Sequence, residues 1–562
     1  MTNNRPSPLD AYTDPNFLAT GVPKDMAAHY RTLGVWNGST HNALLAQAVK
    51  RGGDELAATD RYRSLTWSEL GSAVGEAAAI LAARGVQRGD GVIIQMPNTV
   101  AYLEAVFAVW HLGAIPIFSL PAHGSQEILH FAAHGPALHY ISTAKPNKHL
   151  KRVHRDIAER AESTASTDTA DAANSELDVI LVDESAEDRW AQLIDGDIPS
   201  TPPAATVPAS ELAFLQLSGG TTGVPKQIPK THDDYLYSVR ASLAVCDLNQ
   251  GDVLLVALPA AHNFTMSSPG ILGAIAVGAH IVFSPSPMPP DVLPLISTHG
   301  ITHLALVPPA LISLLNSSQT AETDTSSVRT VWVGGAKLSA SAAERVKPEL
   351  GWQLQQVFGM AEGLVNYTPL DASIEEITTT QGRPMSSYDE IRVVDDNDVE
   401  VPAGHEGHLL TRGPYTIRGY HRAPEVNARS FTEDGFYRTG DIVTFDHGSL
   451  TVVGRAKDQI NRGGEKIAPE AVENVLLQHP GVHDVSVVGA KDDVLGERIQ
   501  AFVIPRGGTG GVDKEQKLTS TAMKKFAREH GLSSFAVPDD VLVVDEFPFT
   551  GVGKVSKKDQ RG

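Results

Sequence analysis

Thr66-Trp-Ser-Glu69 opens the stretch that decides the fold, followed by an apolar helix predicted to run to about Ala83, with Gly85 to stop it. Then come the strand-like Val92-Ile-Ile94, an amphipathic helix from Tyr102 to Leu112, and a second strand-like run, Ala114-Ile-Pro-Ile-Phe118. Thr followed three residues later by Glu is a capping box, in which side chain and backbone at a helix start satisfy each other's hydrogen bonds. The runs at 92–94 and 114–118 are apolar without alternation, as strands buried on both faces are. Such strands alternating with helices imply a parallel sheet covered on both sides.

Working outward, the alternation recurs at Val179-Ile-Leu-Val182, Val253-Leu-Leu-Val256, Ile281-Val-Phe283 and Thr330-Val-Trp-Val333, so the class is α/β. It breaks between about Glu159 and Glu176, where Ser163-Thr-Ala-Ser-Thr-Asp-Thr-Ala-Asp171 predicts an exposed loop. After about Ser387, short strands with Gly-rich turns, such as Gly404-His-Glu-Gly-His-Leu-Leu-Thr-Arg-Gly413, predict a small antiparallel or barrel-like subdomain. From Lys457 a small α+β unit is expected, with a helix opened by Pro469, a strand near Val485-Ser-Val-Val488 and a helix from Leu518 to His530. The expected organisation is a polar, Pro-rich surface extension over 1–40 that wraps or frays, a large N-terminal domain over 41–455 of parallel and mixed sheets with flanking helices (its β subdomain about 387–455), and a small C-terminal domain over 456–562. Order is read as beginning clearly at Thr66.

Composition bounds the function. Of 562 residues, 42% are hydrophobic and 20% charged, which is ordinary globular usage. Acidic residues outnumber basic ones 66 to 46, a formal charge of −20 that repels nucleic acid and anionic lipid, so neither is an expected partner. Any nucleotide site must therefore gather Lys and Arg locally. Cys246 is the single cysteine, which excludes an internal disulfide and a Cys-based metal site. Met1-Thr-Asn-Asn-Arg-Pro-Ser-Pro8 has no signal-peptide core, and the most apolar run, Ile271 to Phe283, is too short to span a bilayer. A soluble, cytoplasmic protein is expected.

The strongest motif is Ser218-Gly-Gly-Thr-Thr-Gly-Val-Pro-Lys226, directly after Leu212-Ala-Phe-Leu-Gln-Leu217. Gly219, Gly220 and Gly223 let the backbone approach an anion, Ser218, Thr221 and Thr222 supply hydroxyls, and Lys226 adds charge. This is a phosphate cradle without the Gly-Lys-Ser/Thr of a Walker loop; alone, it is also open to the lesser reading of a Gly/Thr hairpin turn. Four further segments follow in order: Gln356-Val-Phe-Gly-Met-Ala-Glu-Gly363, Tyr437-Arg-Thr-Gly-Asp441, Gly454-Arg-Ala-Lys-Asp-Gln-Ile460 and Thr550-Gly-Val-Gly-Lys554.

Together these five motifs resemble the adenylate-forming superfamily of acyl- and aryl-CoA synthetases, nonribosomal adenylation domains and luciferases, over nearly the whole chain from about Ala43. The resemblance implies ATP and Mg²⁺ as cofactors and a mobile C-terminal lid. It implies Glu362 as the metal ligand, Asp441 as acceptor of the ribose hydroxyls, and Arg455 at ribose or phosphate. Gly334, Gly335, Ala336, Phe358, Gly359 and Met360 fall on the adenine slot, Lys457 on the hinge, and Lys554 on the catalytic lysine of adenylation. The loop Asn461-Arg-Gly-Gly-Glu465 would line the thiol's path after the lid rotates.

His262-Asn-Phe-Thr-Met-Ser-Ser-Pro-Gly270, Lys230-Thr-His-Asp-Asp-Tyr235 and Glu362-Gly-Leu-Val-Asn-Tyr-Thr368 look like the aryl-acid–AMP ligases of siderophore biosynthesis. In that branch Asn263 would bond the 2-hydroxyl of the aryl acid, His262 would join Lys554 among the candidate catalytic residues as part of the pocket wall, and Ser268 and Val365 would favour 2,3-dihydroxybenzoate over salicylate. Ser268 is open to a second reading, as cap of a helix starting at Pro269. Phe264-Thr265-Met266 departs from the branch's usual Tyr-Pro-Leu, and Ala361 stands where the wider superfamily often has Thr. The implied activity is formation of an aryl-AMP and transfer to the phosphopantetheine thiol of an aryl carrier protein. The alternatives are a salicylate-AMP ligase, an aryl-CoA synthetase, or a non-catalytic protein that binds an aryl acid or nucleotide.

Overall fold

The capping box forms: Glu69 N–H donates to Thr66 Oγ1 at 3.2 Å, and Thr66 N–H donates to Glu69 Oε2 at 2.8 Å. It opens the helix Trp67–Ala83, which ends before Gly85, whose φ of +90° turns the chain away. The computed structural model describes residues 20–134, 137–165, 177–218, 226–462, 465–492, 495–506, 518–533, 535–548 and 555–561.

Two large sheets carry the architecture. The first orders Asp178–Val182, Ala137–Thr143, Gly91–Gln95, Ile115–Phe118, Leu212–Leu217 and Gln227–Thr231; all neighbours are parallel except the last pair. The second has nine strands, parallel from Gln353–Met360 through Thr330–Gly334, His303–Leu306, Val253–Val256 and His280–Phe283 to Leu56–Thr59, with antiparallel strands at both edges. Strand alternation splits their side chains between cores. Val92 and Ile94 face a central cluster with Leu70, Val106 and Leu272 of intervening helices and Leu254 and Ile281 of the second sheet, whereas Ile93 and Ile117 face an outer cluster with Ile128 and Val153. The second sheet has its own outer cover, where Val331 and Leu304 meet Leu311 and Val346. The predicted α/β class, with helices on both faces of largely parallel sheets, is the fold observed.

Glu390–Val394, Gly407–Arg412, Tyr437–Asp446 and Ser449–Arg455 make a four-stranded antiparallel sheet. Beyond the short helical turn Ala456–Asp458, five strands and the helices Pro469–Leu476 and Ser520–Glu529 enclose a separate apolar cluster.

Three expectations change. Order begins well before Thr66, with helices Lys24–Thr32 and His41–Gly52. The early segment is anchored: Trp36 is buried, donates from Nε1 to the Pro414 carbonyl at 3.0 Å, and packs with Tyr30. Its apolar anchors are few among polar and Pro residues, too sparse for a period to show. The loop expected from Glu159 does not start there: the helix Lys148–Ala165 covers 159–165, and 166–176 lie outside the described residues. Ser, Thr and Ala are tolerated in a helix already propagating, so composition alone misplaced its end. Ser268 does not cap the following helix: Pro269 stands at that position before Gly270–Val277, and Ser268 instead closes the short helix Asn263–Ser267 at its C-terminal end.

Candidate active site

Leu212–Leu217 pairs antiparallel with Gln227–Thr231, so the Gly/Thr motif connects a hairpin, as its simplest reading required. The hairpin neck is tied twice: Ser218 N–H donates to the Lys226 carbonyl and Lys226 N–H to Ser218 Oγ, both at 3.0 Å. Gly219, Gly220, Thr221, Thr222 and Gly223 lie outside the described residues, as does Lys554. Beside the neck opens a cavity of about 450 Å³, lined by Ser218, Lys226, His262, Asn263, Ser268, Gly334, Gly335, Gly359, Met360, Glu362, Val365, Arg455 and Lys457. Residues predicted from separate stretches of the sequence thus share one space.

At one end the groups are charged. Ala361 and Glu362 form the turn between Gln353–Met360 and Gly363–Tyr367, and Gly363, at φ +150°, packs so tightly on Thr416 that a Cβ would lie 2.4 Å from its Oγ1. That contact fixes the turn, and the Glu362 carbonyl accepts from Ile417 N–H at 2.8 Å. The buried carboxylate accepts at Oε1 from the Tyr420 hydroxyl at 2.8 Å. Lys226 lies with Nζ 4.6 Å from the Tyr420 ring centroid; burial lowers its pKa and the Glu362 carboxylate opposes that shift. Behind them Lys230, fully buried, donates from Nζ to the Tyr415 carbonyl at 2.8 Å. Its neighbour Asp234 is pushed up to about 7 by burial, against the pull of the Lys230 charge.

Among the described residues no group of three or more His, Cys, Asp or Glu could hold a metal by itself. A cation at Glu362 would therefore complete its shell with phosphate oxygens and water, the arrangement Mg²⁺ favours because it dehydrates reluctantly. A single buried, cavity-lining carboxylate fits that role.

Asp441 and Arg455 face each other across adjacent strands, and Arg455 Nε lies 2.9 Å from Asp441 Oδ1. This carboxylate is the first cause of the raised Arg455 pKa. Asp441 is buried beside Thr439 and Gly440, which line the cavity while Asp441 does not.

The other end is built from aromatic and amide groups. His262 caps the short helix Asn263–Ser267, its Nδ1 accepting from Phe264 N–H at 3.2 Å, which in the neutral ring leaves the proton on Nε2. Asn263 Oδ1 accepts from the buried Tyr235 hydroxyl at 2.9 Å, leaving the amide NH₂ for the cavity. Ser268 lies beside the Tyr367 phenol, itself 2.9 Å from Ser242 Oγ. Val365 N–H donates to Tyr415 OH at 3.1 Å. A Cβ on Gly334 would lie 3.2 Å from the Phe264 ring, and one on Gly359 3.1 Å from Val365 Cγ2, so both glycines keep this end open.

Two predicted slot residues lie elsewhere. Phe358 falls between Val357 and Gly359 on one strand, so when those face the cavity it faces away, against Leu364 and Leu409. Ala336 lines a neighbouring cavity of about 180 Å³ between the N-terminal part and the strand at Val482. Tyr420, Tyr437 and Phe264 also line the main cavity. Tyr437 and Phe264 sit inside quoted motifs and were legible there, whereas Tyr420 and the wall residue His123 had no local signal.

The AMP-binding enzyme model matches residues 45–421, and the AMP-binding enzyme C-terminal domain matches 471–554. The chain belongs to the AMP-binding enzyme family. Among curated relatives of this AMP-binding enzyme, 2,3-dihydroxybenzoate-AMP ligase of Bacillus subtilis (strain 168) is 48% identical, over 96% of both chains. Pyochelin synthase PchD of Pseudomonas aeruginosa (strain UCBPP-PA14) is 43% identical over all of this chain and 98% of that one. The apo structure of MbtA from Mycobacterium smegmatis superposes with a TM-score of 0.70 at 37% identity, covering 99% of each chain. No helix among the described residues is long and apolar enough to cross a membrane.

Proposed function

We propose that this AMP-binding enzyme activates 2,3-dihydroxybenzoate with ATP and transfers the aryl group to the phosphopantetheine thiol of a carrier protein in siderophore assembly. The observation that carries this reading is the single cavity with Lys226, Glu362 and Arg455 at one end and Asn263, Ser268 and Val365 at the other. A carboxylate is inert to thiols because its leaving group would be oxide. Attack of a carboxylate oxygen on the α-phosphorus forms a C(O)–O–P bond and breaks the bond to pyrophosphate. The thiol sulfur then attacks the carbonyl, AMP leaves, and the thiol proton is released.

In this scheme Lys226, with the motif-assigned Ser218–Gly223 and Lys554, stabilises charge on the phosphates. Glu362 would hold Mg²⁺, which when bound would supply positive charge to the phosphate oxygens. Asp441 accepts from ribose once Arg455 yields to it, and Lys457 is the hinge about which the C-terminal domain turns. Asn263 donates to the 2-hydroxyl, and Ser268 offers a hydroxyl partner to the 3-hydroxyl.

Pyrophosphate exchange with a panel of aryl acids tests the substrate: 2,3-dihydroxybenzoate should lead, and salicylate outrunning it refutes the choice. Loading assays comparing CoA with holo carrier protein test the acceptor. Absence of exchange with every aryl acid would favour a binding protein.

A further inference from the structure

Tyr420 is engaged on every side. Its backbone is clamped by Asn427, whose Oδ1 accepts from Tyr420 N–H at 2.8 Å and whose Nδ2 donates to the Tyr420 carbonyl at 3.0 Å. Phe431 meets the ring edge-on at a centroid distance of 5.9 Å, and only 3% of the residue is exposed. The hydroxyl sits 2.8 Å from Glu362 Oε1 and 3.0 Å from the Tyr437 hydroxyl. A phenol has one proton. Glu362 takes it, so Tyr437 must be the donor to Tyr420, and the order runs Tyr437 to Tyr420 to Glu362. The ring face carries the Lys226 ammonium at 4.6 Å. One buried side chain therefore touches both an anion and a cation of the phosphate end, which come from elements far apart in sequence.

We propose that Tyr420 is a positioning residue that fixes the Glu362 carboxylate for one-oxygen coordination of the nucleotide's divalent cation and seats Lys226 beside it. The Tyr420 hydroxyl occupies Oε1 and holds the carboxyl plane, so Oε2 is left for the cation. This rests on Glu362 being the cation's protein ligand.

The test compares binding of Mn²⁺–ATP and of ATP in EDTA to the full chain, by calorimetry and by the Mn²⁺ paramagnetic signal, without aryl acid. Tyr420→Phe removes only the hydroxyl and keeps the ring under Lys226. It should weaken Mn²⁺–ATP binding about tenfold, the share of one hydrogen bond to a charged group, and leave metal-free ATP within twofold. In a Glu362→Gln background the same substitution should add nothing further. Tyr420→Leu, which also removes the ring, should weaken metal-free ATP as well. A loss below threefold in Tyr420→Phe, an equal loss with and without metal, or an undiminished loss in the Glu362→Gln background overturns the proposal, as does a wild type that gains nothing from Mn²⁺. A wild type that binds Mn²⁺–ATP but exchanges no pyrophosphate with any aryl acid would defeat the proposed activity and leave this inference standing.

Discussion

Tyr235→Phe isolates the aryl end of the cavity. Tyr235 is buried, meets Phe214 edge-on at 4.5 Å, and contributes one atom to the site, the hydroxyl 2.9 Å from Asn263 Oδ1. Phenylalanine keeps the packing, so no cavity opens. What is lost is the donor that fixes which end of the Asn263 amide faces the ring. A buried acceptor without its donor costs about 1–3 kcal/mol, or roughly 5- to 150-fold in affinity. The amide can escape that cost by rotating, but it then presents its oxygen to the cavity and no longer donates to the 2-hydroxyl. The loss should therefore track the 2-hydroxyl. In pyrophosphate exchange, kcat/KM should fall by that factor for 2,3-dihydroxybenzoate and salicylate, and by less than threefold for 3-hydroxybenzoate. An equal fall for all three acids, or none, would refute the argument that Tyr235 orients Asn263.

Lys230→Met should lower stability by about 1.5–3 kcal/mol in urea unfolding, because the Tyr415 carbonyl at 2.8 Å loses a charged donor, and Lys230→Arg should recover most of it. Burial pushes the Asp389 carboxyl up to about 8, against an ordinary value of about 3.9, so between those pH values the folded chain keeps a proton the unfolded chain has released. Its stabilisation is full below about pH 4 and is lost as pH rises through 8, at about 1.4 kcal/mol per pH unit. Asp389→Asn keeps an acceptor for the Tyr415 hydroxyl, 2.6 Å away, and should flatten that part of the stability profile; unchanged slopes against wild type would refute the assignment. Lys554→Ala should nearly abolish adenylate formation while leaving ATP binding largely intact, and undiminished exchange would remove Lys554 from the mechanism.

The sheets were legible because each strand carries its own signal: Val92-Ile-Ile94 is buried on both faces, and its apolar residues say so without help from the rest of the chain. Turn-borne site residues were legible for the same reason, since Glu362 and Asn263 stand in short motifs whose spacing is set by one turn of backbone. What holds those residues was not. Tyr420 acts on Glu362 across 58 positions, Tyr235 on Asn263 across 28, and Trp36 is anchored to Pro414 across 378. Phe358 shows the converse: its motif is local, but which side of the strand meets the cavity is decided by the sheet.

Charge makes the argument concrete. The chain is acidic overall, so a nucleotide site had to collect cations, and Lys226, Lys230 and Arg455 are collected there. Each, however, already feels a carboxylate: Lys226 that of Glu362, Lys230 those of Asp234 and Glu362, and Arg455 that of Asp441 at 2.9 Å. The described site, which Lys457 also lines, thus has its cations largely countered, and a polyanionic triphosphate entering it gains more where a pairing is exchanged. Further charge would arrive with the nucleotide, as its divalent cation, or with Lys554 in the role proposed for it. On that proposal, substrate binding and placement of the C-terminal domain are coupled by electrostatics, because neither source of charge belongs permanently to the cavity wall.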